Sequence, residues 1–592
     1  MLNFKFSSDL SEFFESVPVK QTKSKRRKPG PVEERRAVAA APEKATAWTP
    51  VPFLERYALA IFLALVAVGS ARIVSTYPVF SHTWDEPGHI ASGVEWLRKG
   101  SYKFDRQHPP LTRIAVGIGP SLMGMEAPVP QPEDMAMFAE SRRVLYGSHK
   151  YQQILNAARI GILPFFWIAC LVVYLWARRY AGGAAAVLAV FLFSFFPAVL
   201  GHAGMATTDM ACTAMLSAVF LAGCILLEEP SLKRAVVFGA CGGLAILSKF
   251  SVLAFFPAGA AVALAWYVLV ERPGWRAGVD RAKKLAPLIG LAAAVAALLV
   301  WAGYRFSVAQ GLPAPDMWAG IGRVANHNAS GHWSYLLGRI SRFGFWDFFP
   351  VAIAVKTPIA FLLLAAIGFW LALRNRGGRR LWLAAAFAAG ILAVAMSSNI
   401  NIGLRHILPM YAGLAVLGGA ASVELGTRSP RGFLLSAVLV LWMAGTSLLS
   451  HPDYLSYFNL LAGSHPESIL VDSDLDWGQD VSRLGRRLHE LGVHQVTFVP
   501  NDKIDLRQQP GFEGITVNEQ MSWAMPTEGW NAVELTGLKL RRLGFMDAHP
   551  ELTFWPNVIP EQERVGNSIL LWHFGGSQGE PRALPWPSEA GK

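Results

Sequence analysis

Two adjacent carboxylates stand immediately before a helix signal in a largely apolar sequence. Asp85 and Glu86 precede Pro87, a residue suited to the first turn of a helix, and negative charge is favoured at that end. Ile90 and Val94 then recur on one face, a pattern that indicates a short helix in the membrane interface. A carboxylate held there suits general-base chemistry. The alternative is that the pair only caps the helix.

A second candidate cluster surrounds two consecutive prolines. His108 and Arg113 flank Pro109 and Pro110, which favour an extended approach and exclude helix at that point. Basic side chains beside a fixed turn could bind an anionic substrate. A structural turn explains the prolines equally well.

Further ionisable side chains lie near the ends of apolar segments. The loop charges predict that these ends face away from the cytoplasm. They are Asp209, Lys249, Lys356, Arg405 and His406. A cation at the bilayer centre costs roughly 2.5–3.5 kcal/mol, and each one alone could extend to the membrane surface. Together with the acidic pair they predict an outer-leaflet pocket in which cations bind a lipid phosphate and a carboxylate serves as general base. That combination favours an enzyme with a phosphorylated lipid substrate.

The elements that must position these residues are membrane spans. The chain is 52% hydrophobic and only 16% charged, whereas soluble domains carry about 25% charged residues. A bilayer core of roughly 30 Å requires about 20 apolar helical residues. Eleven windows meet or approach that length, namely 55–77, 156–178, 183–201, 205–227, 232–248, 251–271, 285–304, 350–373, 380–397, 403–424 and 432–450. The apolar region 111–125 is shorter and is predicted to be re-entrant or interfacial.

Charge sets the predicted orientation. Lys and Arg fall in short runs between apolar segments rather than on one soluble face, so the net charge of +12 does not indicate nucleic-acid binding. With the N-terminus in the cytoplasm, each short cytoplasmic connection is basic. The external side then receives loop 78–155, loop 305–349 and the region after residue 450.

The predicted fold class is therefore an all-α polytopic membrane protein of about eleven transmembrane helices. It has external loop helices and a small C-terminal α/β extracytoplasmic domain. Residues 1–54 are predicted to be a disordered basic cytoplasmic tail, 55–450 the membrane domain and 451–592 the external domain. In the last of these, Ser468–Asp472 and Val496–Val499 are predicted strands on either side of a helix.

An acidic run between the first predicted strand and the helix admits three interpretations. A calcium loop would require a bidentate Glu where Arg483 stands. The metal motif of nucleotide-sugar transferases would belong on the cytoplasmic side. We favour the third interpretation, a turn in which Asp472 to Asp480 support the helix start, with acceptor contact left open. The sequence shows no ligand spacing of a known metal site, so no metal ligand or certain cofactor is predicted. A divalent cation at the acidic pair stays open.

The ordered motifs resemble the GT-C superfamily of integral-membrane glycosyltransferases, in its protein O-mannosyltransferase and aminoarabinose-transferase-like branch. The similarity runs over roughly residues 55 to 480. It is carried by Thr83-Trp84-Asp85-Glu86, His108-Pro109-Pro110-Leu111, Gly201 to Asp209, Lys249-Phe250-Ser251, Phe349-Pro350 with Lys356-Thr357-Pro358, and Gly403-Leu404-Arg405-His406 with Pro409. One departure is His108, which stands where aminoarabinose transferases usually have Lys.

The resemblance implies transfer of a sugar from a polyprenyl-phosphate donor to an acceptor, with inversion at the anomeric carbon. Asp85 would be the general base and Glu86 would orient the acceptor or support Asp85. Lys249, Lys356 and Arg405 would bind the donor phosphate, the leaving group. The acceptor could be a protein, a lipid or a glycan.

The expected location is a bacterial inner or plasma membrane, in contact with membrane lipid and without nucleic acid. A secondary transporter and a non-catalytic lipid-binding or assembly protein are the alternatives. Transporters tend to show internal repeats and sites near the bilayer midplane, neither of which the sequence indicates.

Overall fold

Helices dominate the computed structural model, which describes residues 49–131, 134–147, 150–374, 380–500, 504–540 and 554–575. The predicted cytoplasmic tail lies outside these residues up to position 48. At its described end, the short helix Val51–Arg56 precedes the apolar helix Ala58–Val74.

Five helical segments in the described part of the chain are long and apolar enough to cross a membrane. They are Tyr151–Ala181, Asp209–Glu228, Val252–Val270, Trp275–Gly303 and Pro430–Leu449, the first being two helices, Tyr151–Ile160 and Leu163–Ala181, joined by a tight turn. Protein surrounds 78% of the apolar window in Asp209–Glu228, against 17% in Val252–Val270 and in Trp275–Gly303. The Asp209 helix is therefore central, and the other two present most of their apolar surface outward.

Two further candidate spans are bent at proline. Gly183–Ser194 and Pro197–Ala203 meet at 66°, and Phe348–Lys356 and Ile359–Arg374 meet at 117°. Phe196 and Thr357, the residues before Pro197 and Pro358, are extended. A residue before proline is driven out of the helical region, so each apolar run breaks where its proline stands.

The remaining predicted windows also fold as helices. These are Ala58–Val74, Leu232–Ser248, Trp382–Met396 and Met410–Arg428, the last preceded by the 3₁₀ turn Leu404–Ile407. The described chain thus forms an integral membrane protein of mainly helical class, as predicted. Five helices cross by length and composition alone, or seven if each bent pair is one span, and the count of eleven stays a prediction.

The loop after the first apolar helix, which is predicted to be external, contains four helices among its described residues: Glu86–Lys99, Pro110–Leu122, Asp134–Tyr146 and Tyr151–Ile160. The helix Glu86–Lys99 is more enclosed than an interfacial helix would be, since Ile90 and Val94 are fully buried. It crosses Pro110–Leu122 at very short range. A methyl group added at Gly93 would overlap the carbonyl oxygen of Arg113, and one added at Gly117 would lie 2.6 Å from the carbonyl carbon of Gly93.

Loop 305–349, the second long loop predicted to be external, holds two small antiparallel hairpins around one helix. Val308–Ala309 pairs with Leu312–Pro313, and Ser334–Leu336 pairs with Arg339–Ser341. The helix Pro315–Ser330 lies between them in the sequence.

After residue 450 the chain forms a five-stranded mixed sheet. Its strands run in the spatial order Thr516–Asn518, Gln495–Phe498, Gly529–Glu534, Ile569–Phe574 and Glu563–Val565, and the helices Val481–Glu490 and Trp555–Val558 accompany it. The predicted helix and second strand are confirmed. The predicted strand Ser468–Asp472 is wrong: Pro466–Ser468 and Asp472–Asp474 are 3₁₀ turns. Asp472 has φ of +59°, which no strand residue adopts.

The sheet region and the membrane helices share an apolar core. Val481, Leu484 and Leu488, on one face of the helix after the acidic run, belong to the same buried cluster as side chains of the membrane helices. A second cluster, including Trp555 and Trp572, packs the far side of the sheet. The region after residue 450 is therefore joined to the membrane part through packing.

The close crossing in the first loop gives a stability prediction. We expect Gly93→Ala to destabilise the protein by about 1–3 kcal/mol, because the added methyl group must push the helix Pro110–Leu122 away. Thermal unfolding in detergent measures the effect. Gly88→Ala, in the same helix, is the matched control because nothing lies within 4 Å of its added methyl group. Equal unfolding temperatures for the two variants would contradict the crossing.

Candidate active site

A cavity of about 1170 Å³ lies where loops 78–155 and 305–349, the ends of several membrane helices and the acidic run meet. Six of the nine predicted site residues line it, namely Asp85, His108, Arg113, Lys249, Arg405 and His406. Glu86, Asp209 and Lys356 lie behind its wall. Most of the predicted side chains therefore share one cavity, and its position in the outer leaflet stays a prediction.

Asp85 and Arg405 form an ion pair at the cavity wall. Arg405 Nη1 donates to Asp85 Oδ2 over 2.7 Å, and the Asp85 side chain is 24% exposed whereas that of Arg405 is 8% exposed. Asp85 is the residue that begins the helix Glu86–Lys99. Arg405 lies in the 3₁₀ turn before Met410–Arg428. The pair joins a partly accessible carboxylate to a buried cation.

The ion pair continues into a row of alternating charges. Arg405 Nη1 lies 3.7 Å from Asp209 Oδ2, and Lys249 Nζ donates to Asp209 Oδ1 over 2.6 Å. Asp209 is almost fully buried and Lys249 reaches the cavity. Asp209 therefore holds two cavity cations in place, which explains a carboxylate at the start of an apolar helix.

Arg405 is also fixed from the side of the acidic run. Its guanidinium lies 4.0 Å from the ring centroid of Trp477, a cation–π contact. Its Nε is buried without a hydrogen-bond acceptor among the described residues. Arg405 is thus held on two sides and keeps one unused hydrogen-bond donor beside the cavity.

Glu86 has a structural environment unlike that of its neighbour Asp85. Its carboxylate accepts from Arg159 Nε and Nη2 at 2.9 and 2.8 Å, and from the backbone N–H groups of Thr83 and Ala206 at 2.8 Å each. Burial raises the pKa of Glu86, but Arg159 and these hydrogen bonds outweigh burial and lower it overall. Glu86 therefore ties three segments together and does not face the cavity where an acceptor could be oriented.

The proline cluster also has mainly structural contacts. Arg113 is fully buried and binds Asp105, the Tyr102 hydroxyl at 3.0 Å and His89 Nδ1 at 3.1 Å. Burial lowers the pKa of His108 well below its usual range, and burial with the nearby Arg113 lowers the pKa of His89 to about 4. Both imidazoles are neutral at pH 7. His108 can offer a hydrogen bond in the cavity but no positive charge to a phosphate.

Lys356 does not reach the cavity. Its Nζ donates to the carbonyl oxygens of Leu455, over 2.7 Å, and of Asp474. It lies over the ring of Phe458 at 4.2 Å. The side chain instead anchors the chain that follows the last membrane helix, so the predicted phosphate contact finds no support in the geometry.

Sequence reasoning did not place the acidic run in the cavity wall, where Asp472, Asp476 and Trp477 lie. The backbone of this run binds the segment before Asp85: Ser81 N–H donates to Gln479 O over 2.9 Å, and Trp84 N–H donates to Trp477 O over 3.2 Å. The available signal was the repeated acidic residue at every second position. Because acidic residues also favour the start of a helix, this pattern did not distinguish a helix start from a cavity wall.

The described residues contain no group of three or more His, Cys, Asp or Glu side chains placed to hold one metal ion. A divalent cation at the acidic pair therefore stays a hypothesis.

The comparisons agree with the predicted resemblance. A family model described as dolichyl-phosphate-mannose-protein mannosyltransferase matches residues 153–301, a stretch that contains Asp209 and Lys249 but not Asp85 or Arg405. The resemblance to membrane glycosyltransferases is confirmed there, and the match supports a glycosyltransferase. No curated protein matches the sequence.

Solved structures with similarity to the chain include ArnT from Cupriavidus metallidurans. Its apo form is 20% identical with a TM-score of 0.45, covering 69% of this chain and 67% of that one. The form bound to undecaprenyl phosphate is 15% identical with a TM-score of 0.48, covering 86% and 97%. The apo oligosaccharyltransferase of Archaeoglobus fulgidus is 15% identical with a TM-score of 0.40, covering 75% and 63%.

The environment of Glu86 predicts a large cost for its removal. We expect Glu86→Ala to destabilise the protein by about 3–5 kcal/mol, because Arg159 would remain buried without its counter-charge. Thermal unfolding and the monodisperse fraction after detergent extraction report the loss. Glu513→Ala is the control, since the Glu513 side chain is 71% exposed. Unfolding temperatures of Glu86→Ala within 1 °C of wild type, roughly, would contradict this role.

The acidic run predicts a pH dependence of stability. Burial raises the pKa of Asp476 from 3.8 to about 7, although hydrogen bonds from Thr536 and Gly478 oppose the shift. Between those two values the folded protein keeps a proton that the unfolded chain has released, so rising pH destabilises the fold. Asp476→Asn cannot ionise and keeps an acceptor for the Thr536 N–H.

Thermal unfolding of wild type and Asp476→Asn between pH 5 and pH 8 tests this. We expect the unfolding temperature of wild type to fall relative to the variant by at least about 2 °C over that range. Asp505→Asn, outside the cavity, serves as the control. Parallel curves for wild type and Asp476→Asn would contradict the shifted pKa.

Proposed function

We propose that the chain is a membrane glycosyltransferase that moves a sugar from a polyprenyl-phosphate donor to a hydroxyl group of an acceptor, with inversion. The observation that carries the proposal is the Asp85–Arg405 pair on the wall of a large cavity, continued by Asp209 and Lys249. A carboxylate and two cations converging on one cavity are the groups that such a displacement requires.

Asp85 is the proposed base. The acceptor oxygen forms a bond to the anomeric carbon while its proton passes to the Asp85 carboxylate, which is partly accessible from the cavity. The bond from the anomeric carbon to the phosphate oxygen breaks, and its electron pair leaves with the phosphate. Arg405 orients Asp85 through the 2.7 Å hydrogen bond, so base and acceptor can be aligned before reaction.

Arg405 and Lys249 are the proposed phosphate ligands. Charge develops on the leaving phosphate, and cations fixed beforehand in a water-poor site stabilise that charge at low reorganisation cost. Asp209 holds both cations by contacts of 3.7 and 2.6 Å. Lys356 has no part in this step because backbone carbonyls occupy its ammonium group.

The family match supports the donor class. Its model, named for a dolichyl-phosphate-mannose enzyme, covers the segment that supplies Asp209 and Lys249. Basic cytoplasmic connections support an external cavity, with the N-terminus inside and the C-terminus outside. The acceptor is a protein, a lipid or a glycan carrying a free hydroxyl group.

Replacement of Asp85 tests the proposal. Purified wild type and Asp85→Asn are incubated with undecaprenyl-phosphate mannose, glucose and galactose, with a membrane extract as acceptor, and mass spectrometry follows donor loss. We expect Asp85→Asn to lower donor consumption by at least about 100-fold, since general-base catalysis contributes roughly 10²–10⁴. Asp316→Asn, which alters a carboxylate paired with Arg106 away from the cavity, is the control.

Equal donor consumption by wild type and Asp85→Asn would remove Asp85 as the base. Donor loss unaffected by omission of the membrane extract would indicate hydrolysis rather than transfer. Uptake of the intact donor or its sugar into proteoliposomes, without donor cleavage, would favour the transporter alternative.

A further inference from the structure

The acidic run that follows the last membrane helix contributes Asp472, Asp476 and Trp477 to one wall of the cavity. It is fixed to the first external loop by the backbone contacts of Trp477 and Gln479, and to the turn bearing Arg405 by two side chains. Asp474 Oδ1 accepts from Leu404 N–H over 3.0 Å, and Ser473 Oγ donates to the carbonyl oxygen of Ile402. The wall is therefore held in register with both partners of the Asp85–Arg405 pair.

Most carboxylates of the run have structural partners. Asp474 binds Leu404, Asp476 Oδ2 accepts from Thr536 N–H over 2.8 Å, and Asp480 Oδ2 accepts from the Ser568 hydroxyl over 2.7 Å. Asp472 differs, because within the part of the chain that the structure describes its carboxylate accepts one hydrogen bond, from the N–H of the next residue, Ser473, over 2.6 Å. Asp472 also lines the cavity. Of the two carboxyl groups of the run that line the cavity, that of Asp476 is bound by Thr536, whereas that of Asp472 keeps capacity to bind a ligand.

The backbone of Asp472 is held in an uncommon conformation. With φ of +59° it occupies the left-handed region, which costs free energy for a residue with a side chain, although less for Asp than for most. Its N–H donates to Thr536 Oγ1 over 2.8 Å, and this contact helps to maintain the conformation. The turn places the carboxyl group beside the charged pair without using it for the fold.

The charges around Asp472 indicate which part of a donor it could touch. Burial raises the pKa of Asp472 to about 7, with Arg405 opposing the rise and Asp85 adding to it. At neutral pH the group is thus partly protonated, and it can both donate and accept hydrogen bonds, as a sugar hydroxyl can. When ionised it would repel a phosphate. Since Arg405 is the proposed phosphate ligand, its acidic neighbour suits the sugar to which the phosphate is bonded.

We propose that Asp472 determines sugar specificity by hydrogen bonding to a hydroxyl group on the sugar ring of the polyprenyl-phosphate donor. This inference rests on the proposed function, because it assumes that Arg405 and Lys249 hold the donor phosphate. Trp84, half-buried in the same cavity, offers an aromatic face for the apolar side of the ring. The segment after the last span then supplies substrate recognition as well as support.

Binding measurements separate the sugar from the phosphate. Purified full-length protein in detergent is titrated with undecaprenyl phosphate and with its mannose, glucose and galactose derivatives, and Kd is obtained from intrinsic tryptophan fluorescence. The variants are Asp472→Gly, which removes the carboxyl group, and Asp472→Asn, which keeps an amide. Both residues accept a positive φ, so the turn is preserved. Asp505→Asn, in the same region but outside the cavity, is the matched control.

We expect wild type to bind at least one sugar-bearing lipid more tightly than undecaprenyl phosphate. Asp472→Gly should weaken binding of that lipid by about 10-fold, the value of one buried hydrogen bond to a sugar hydroxyl. Its Kd for undecaprenyl phosphate should change less than about 2-fold, and Asp472→Asn should lose less than Asp472→Gly. The control should match wild type with every lipid.

The contrary outcomes are distinct. If Asp472→Gly keeps the full preference for the sugar-bearing lipid, Asp472 does not contact the sugar and the inference fails. If it weakens binding of undecaprenyl phosphate and of the sugar-bearing lipid equally, Asp472 acts only through Arg405, which also overturns the inference. A wild type that binds undecaprenyl phosphate but gains nothing from any of the three sugars overturns it too. A wild type that binds none of these lipids contradicts the proposed function itself.

Discussion

The ion pair between Asp85 and Arg405 joins parts of the chain that lie 320 residues apart in the sequence. One partner begins the first helix of the external loop, and the other lies in a turn before a late membrane helix. Bringing them to 2.7 Å requires the first loop, the helix that starts at Asp209 and the turn Leu404–Ile407 to meet at one point. The cavity forms around that point. Because partly buried charges are costly unless paired, the surrounding residues are largely those that keep this pair and its extension to Asp209 and Lys249 in place.

Two neighbouring carboxylates show how environment divides their roles. Asp85 keeps an accessible edge and one guanidinium partner, whereas Glu86 is enclosed and bound on both oxygens. Glu86 and Arg159 fix the backbone that follows Thr83. The side chain of Asp85, one position before Glu86, therefore faces the cavity. The proposed base and the group that positions it can therefore be adjacent in the sequence and still lie in different surroundings.

Much of this arrangement could be predicted from residue type and position. Asp85, Lys249 and Arg405 are ionisable residues at the ends of apolar segments, and their shared side followed from the charge of the connecting loops. Burial could not be predicted in the same way. Lys356 has the same sequence signature as Lys249, but the chain after the last span brings two carbonyl oxygens to it. Partners contributed by distant backbone have no local pattern to reveal them.

The fold, too, could be predicted from the sequence only in part. Apolar length located the membrane helices, and a proline could be seen in each run that bends, but the angles of 66° and 117° depend on packing. The acidic run is the part of the fold that local sequence predicted least well. Its alternating carboxylates are compatible with a strand end or a helix start, whereas its actual path includes a positive φ at Asp472 and contacts with distant residues such as Thr536.

The path of the acidic run makes the region after residue 450 part of the cavity. Trp477 stacks on Arg405, the backbone at Trp477 and Gln479 binds the segment leading to Asp85, and Asp474 caps the turn at Leu404. The region after residue 450 therefore contacts Arg405 directly and Asp85 through the segment that precedes it. Without Asp472, Asp476 and Trp477 the ion pair would be more open to water, which weakens and screens the interaction between charges. The sheet region is therefore a structural part of the cavity rather than a separate appendage.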